Sequence, residues 1–143
     1  TTADGVIRGA GGGEGRLFNG IPARYLALVA TTLPGESPDD EETRTAAREL
    51  VVKSAQSAWD YRQTVDGLPL FGAFWDRNAD LPGSGGRSAE FVEGAVNASE
   101  VPEKDLSVQL SGWMLMEAAH TLTDDGPQLA LELETEPSKE DDE

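Results

Sequence analysis

Two stretches of this chain have almost no polar face, and they limit what it can fold into. Residues 20–32 (Gly-Ile-Pro-Ala-Arg-Tyr-Leu-Ala-Leu-Val-Ala-Thr-Thr) carry a single charge, Arg24. Residues 106–122 are apolar around most of the helical circumference, with Glu117 and His120 near the end. A helix that is apolar all round has to be enclosed by other elements. Between them, Ala47, Leu50, Val51, Ser54, Ala55, Ala58 and Trp59 recur at i, i+3, i+4 spacing, while Arg44, Arg48, Lys53, Gln56 and Asp60 fall elsewhere. This predicts a one-faced helix over about 38–62. Ser37 suits its N-cap, Pro38 its first position, and Asp39 to Glu42 its positive end. One covering helix cannot enclose two inner ones, so the pattern points to inner and outer helices of a larger helical assembly.

The connecting segments are read from their punctuation. Residues 66–76 are a turn followed by an extended aromatic segment, because Gly67, Pro69 and Gly72 disfavour helix. Residues 77–88 read as irregular, 88–98 as a short helix, and 128–135 as a short strand with Leu129, Leu131 and Leu133 on one side. Trp113, Met114 and Met116 are expected in the core. Residues 9–15 form a glycine loop that fits neither the dinucleotide fingerprint nor the P-loop. It reads as a mobile loop, or as a loop at the mouth of a cleft where backbone approaches a ligand.

Charge and composition exclude several functions. The chain has 143 residues and a formal net charge of −16. Half of that charge lies in residues 124–143, with nine acids and one base, so the end from Pro137 reads as a solvated acidic tail. A chain this acidic lacks the basic face that nucleic acid or an anionic membrane surface requires. No 18-residue apolar run exists to span a membrane, and residues 1–5 have no signal-peptide character. With no Cys and one His, disulfides, thiolate metal sites, a Cys nucleophile and His relays are excluded; no metal or cofactor is expected. The excess of Arg over Lys, 8 to 3, hints at a GC-rich bacterial genome.

Residues 15–26, Gly-Arg-Leu-Phe-Asn-Gly-Ile-Pro-Ala-Arg-Tyr-Leu, resemble a stretch of glycoside hydrolase family 76, the α-1,6-mannanase group, with its Phe-Lys-Gly-Ile and following Arg. Ser57-Ala58-Trp59 resembles that family's small-residue-then-Trp helix end. Leu70-Phe71-Gly72-Ala73-Phe74-Trp75 resembles its Leu-Phe-Gly-x-x-Trp, and residues 107–112 its final inner helix. Asn19 stands where the family has Lys, and residues 77–104 are longer than its link.

The resemblance implies a mainly α fold, part of an (α/α)6 toroid, with inner helices near 20–32 and 106–122 and an outer helix near 38–62. Residues 1–136 correspond to the C-terminal portion of such a domain, and 137–143 to the tail. Cleavage of a glycoside takes two carboxylates. Asp39-Asp40 begins the outer helix, Asp124-Asp125 precedes a turn glycine, and Asp141-Asp142 lies in the tail. None of these pairs sits in the family's inner-helix setting, so no catalytic residue is expected in this chain. Its contribution is to cleft walls that bind α-linked mannose polysaccharide or oligosaccharide through Glu14, Phe18, Asn19, Arg24 and Trp75. Pyranose rings stack on aromatics and offer hydroxyls to polar groups. The other partner implied is the remainder of the toroid or a symmetry-related chain. Two alternatives stand beside this reading: a non-catalytic acidic helical interaction module, and another (α/α)6 sugar enzyme.

Overall fold

The computed structural model describes residues 2, 4–8, 17–83 and 86–123. The glycine loop with Glu14, the strand expected over 128–135, Asp124-Asp125, Asp141-Asp142 and the acidic tail lie outside the described residues.

The described chain is mainly helical. Helix α1 spans Gly20–Thr32, α2 Pro38–Asp60 and α3 Leu106–Leu122. Two small antiparallel hairpins stand between α2 and α3: β1 (Gln63–Val65) with β2 (Leu68–Leu70), and β3 (Glu90–Val92) with β4 (Ala95–Asn97).

Local chemistry sets these boundaries. Leu33 leaves the helical region ahead of Pro34, which ends α1. Ser37 and Asp40 close a capping box at the start of α2: Asp40 N–H donates to Ser37 Oγ, and Ser37 N–H to Asp40 Oδ2, each at 3.2 Å. Arg44 then staples the α1–α2 connection, donating to the carbonyls of Leu33 and Gly35 at 2.9 Å and bridging Glu41 at 2.7 Å. Asp66-Gly67 and Glu93-Gly94 both hold positive φ, as two-residue hairpin turns require. Residues 90–97 are therefore a hairpin, not the short helix expected over 88–98. With both turn residues at positive φ the chain reverses on itself there, and no helix can continue through Gly94.

Helix directions follow from side-chain neighbours. Gly20 lies against Ser111 and Met114, and Arg24 to Thr31 line one groove with Glu117 to Thr121, so α1 and α3 run parallel. Helix α2 runs back against both. Arg48 at its middle donates to the Leu122 carbonyl at the end of α3, while Trp59 near its end stacks near Phe71 beside Gly112, nearer the start of α3.

The core between the three helices is rich in alanine: Ala23, Ala27 and Ala30 from α1, Ala47, Ala55 and Ala58 from α2, and Ala118 and Ala119 from α3. Val51, Leu115, Leu122 and Trp75 fill the remaining volume, and Val6 and Ile7 close one side. Ile7 N–H donates to the buried Ser54 Oγ at 2.9 Å, and that hydroxyl donates on to the Leu50 carbonyl. Small side chains let helix axes come close: the buried core residues of α1 are all alanines, whereas α3 adds Leu115 and Leu122 to Ala118 and Ala119.

Several of their bulky residues lie elsewhere. Tyr25 and Leu28 on α1, and Leu106, Leu110 and Trp113 on α3, are exposed. Trp113, expected in the core, is 64% exposed. It belongs to the Leu106–Leu110–Trp113–Glu117 stripe, opposite the Val108–Leu115–Leu122 stripe that meets the core. Met116 packs partly against the core.

Candidate functional site

The start of α3 gathers the densest polar network among the described residues. Gln109 lies in the first turn of the largely apolar α3. Its Oε1 accepts the Phe71 N–H at 3.0 Å, and its Nε2 donates to the Phe71 carbonyl at 2.9 Å and to the Glu103 carbonyl at 3.1 Å. Both backbone polar groups of Phe71 are thus met by one carboxamide. The Phe71 ring packs on Gly112, where a Cβ has no room.

Two residues after Phe71, Ala73 N–H donates to Glu103 Oε1 at 3.1 Å. Glu103 is 5% exposed, and its Oε2 is buried with no hydrogen-bond partner among the described residues. A carboxylate oxygen kept from water without a donor costs free energy. Glu103 is therefore held in place by its neighbours rather than by its own solvation. One turn away, the Asp105 carboxylate accepts the Ser99 N–H and hydroxyl, and Ser99 Oγ accepts the Ala89 N–H at 2.8 Å. This chain of bonds ties the foot of the β3–β4 hairpin to the start of α3.

The start of α1 stands at the same end of the molecule, because Gly20 lies against Ser111. Phe18 precedes it with 60% of its surface exposed, and Asn19 beside it is buried. The Asn19 side chain does not cap the helix. Phe74 is exposed and stacks under the Arg77 guanidinium, 4.6 Å from its ring centre.

The five residues proposed from sequence thus separate. Phe18 and Asn19 lie together at the start of α1. Arg24 is one turn further along and opens into the α1–α3 groove with Leu28, Thr31, Glu117 and Thr121. Trp75 is 2% exposed and belongs to the core, with Ser57 Oγ donating to its carbonyl at 2.6 Å. Glu14 lies outside the described residues. Arg24 is exposed to water and forms no ion pair among the described residues. The sequence reading did not single out Gln109, Glu103, Asp105 or Ser99. For Gln109 a signal existed: it is the one amide of α3 and the only large polar side chain in that helix before Glu117.

Among the described residues no cluster of three or more His, Asp or Glu side chains could hold a metal ion. No described helix is long and apolar enough to cross a membrane. Comparisons with protein-family models, with curated proteins and with solved structures find no match to this chain.

Proposed function

We propose that this chain is the C-terminal part of a ring of helical hairpins that binds α-linked mannan in a glycoside hydrolase of the endo-α-1,6-mannosidase type. Helices α1 and α3 are its inner helices and α2 an outer one. The chain supplies cleft walls, and the carboxylate pair that cleaves the glycoside comes from elsewhere in the ring.

One observation supports this reading most. The segments that resemble the mannanase family are far apart in sequence, at 15–26, 70–75 and 107–112, yet described residues from all three meet at one end of the fold. Gly20 touches Ser111, Phe71 packs on Gly112, and Gln109 grips the Phe71 backbone. The order inner, outer, inner, with α1 parallel to α3, is also that of neighbouring inner helices joined through an outer return. At this end Phe18 offers an open ring on which a pyranose stacks. Arg24 and the apolar faces of α1 and α3 would border the ring interior, where further helices or a symmetry-related chain cover them.

The test is retardation of the full chain in gels containing linear α-1,6-mannan, with dextran as the control. Wild type is expected to be retarded by mannan alone, and Phe18→Ala to lose most of that retardation. Equal mobility in both gels would overturn the reading.

A further inference from the structure

We infer that the side of α1 and α3 turned away from α2 is a two-fold interface with a second copy of this chain, in which Arg24 of each copy meets Glu117 of the other. The inference does not rest on the mannan reading.

The face is defined by what lies on each side of α1. Leu26 and Val29 border α2, with Ala46 and Leu50, whereas Arg24, Leu28 and Thr31 border α3 on the other side. Leu28 lines that side of α1 beside Arg24, and i, i+4, i+7 spacing sets Leu106, Leu110 and Trp113 on the Glu117 face of α3; with Tyr25, next to Arg24 in α1, all are exposed. Exposed large apolar side chains beside a shared groove are the material of an interaction site. An aromatic side chain contributes about 150–250 Å² when covered. Tyr25 and Trp113, each about two-thirds exposed, thus supply on the order of 200–300 Å² toward the ~800 Å² per partner of a stable interface. The three leucines and the groove walls add to it.

The charges choose the occupant. Arg24 is the only charged residue of α1, and Glu117 the only acid of α3. Both line the same groove, and neither forms an ion pair among the described residues. A face with one cation and one anion complements itself. A two-fold axis passing between them sets Arg24 opposite the second copy's Glu117, twice, as an isologous contact requires. Covering Trp113 and the leucines removes water from both pairs and strengthens them. His120, one turn beyond Glu117, is exposed at the edge of the same stripe. An acidic partner would meet Glu117 unpaired, and a basic one Arg24.

The experiment is sedimentation velocity of the full chain at tens of micromolar, on wild type, Arg24→Glu, Glu117→Arg, the double swap, and Trp113→Lys. These positions are exposed, and far-ultraviolet circular dichroism checks that each variant keeps the wild-type helix content. Wild type is expected as a dimer. Each single charge reversal weakens it about tenfold or more, and Trp113→Lys gives monomer. The double swap restores dissociation to within about threefold of wild type, because like charges directly opposed are again replaced by unlike ones. A monomeric wild type, a dimer indifferent to Trp113→Lys, or a double swap no better than the single variants would each overturn the inference.

Discussion

The Gln109 carboxamide holds Phe71 by both of its backbone polar groups, at 3.0 Å and 2.9 Å, across 38 residues of sequence. It anchors the segment after β2 to the start of α3. Gln109→Ala removes both partners at once, and a buried backbone group left without one costs about 1–3 kcal/mol. Chemical denaturation should show a loss of about 2–4 kcal/mol. Gln109→Glu keeps the acceptor for Phe71 N–H and loses the donor, so it should fall between. A loss below about half a kcal/mol for Gln109→Ala would mean water replaces the clamp.

Gly112 is where α3 admits the Phe71 ring. Gly112→Ala should destabilise the fold by about 1–3 kcal/mol through overpacking, despite the better helix propensity of alanine. The same substitution at Gly83, which has nothing within 4 Å of an added Cβ, should leave the melting temperature nearly unchanged. Thermal melts of the two variants side by side test the difference.

The Ser37–Asp40 capping box makes helix α2 pH-dependent. Hydrogen bonds from the Ser37 side chain, then from its backbone, hold the Asp40 carboxyl below its ordinary value, with Arg44 adding a smaller push in the same direction. A depressed native pKa means the stabilisation is present above the unfolded pKa and is lost as pH falls through the native one. Ser37→Ala should cost about 0.5–2 kcal/mol at neutral pH. The gap between variant and wild type should narrow below pH ~4, as Asp40 protonates in both. A gap independent of pH would show that the Asp40 half of the box contributes nothing.

Removing the residues after Pro137 should leave the melting temperature within about a degree or two. That end holds one base among its acids and no apolar residue with which to bury surface. A larger fall would mean the tail is docked.

Three of the elements were legible because each rests on signals within one segment. The apolar composition of 20–32 and 106–122 marked α1 and α3. Ser37, Pro38 and the acids that follow marked the start of α2. Where the outcome depended on residues far away, the sequence was silent. Trp113 looks like a core residue because periodicity reveals a helix's faces but not which of them meets a partner. Here the small residues Ser111, Gly112, Ala118 and Ala119 face inward with Leu115, and the indole faces out. Glu93-Gly94 is a weaker turn signal than Asp66-Gly67, since Glu rarely takes positive φ, and Glu90-Phe91-Val92-Glu93 passes for a helical turn. Of the candidate site, Phe18 and Asn19 stayed together because they adjoin in sequence. Trp75 went into the core because Gln109 and Glu103, more than 25 residues on, fix the backbone leading to it.

On the reading proposed above, the chain alone should show no turnover of α-1,6-mannan, because neither α1 nor α3 contains an Asp. Reducing-end assays with purified full chain check this, and release of mannooligosaccharides above the no-protein control would contradict it.

Isothermal titration of the full chain with linear α-1,6-linked mannooligosaccharides of two to six units asks whether this chain forms a mannan-binding wall. Binding should be saturable and tighten with chain length, weaken about tenfold in Phe18→Ala as a stacking contact is lost, and be absent with α-1,6-linked glucooligosaccharides. No heat of binding at millimolar oligosaccharide, or equal affinity for both sugars, would contradict it.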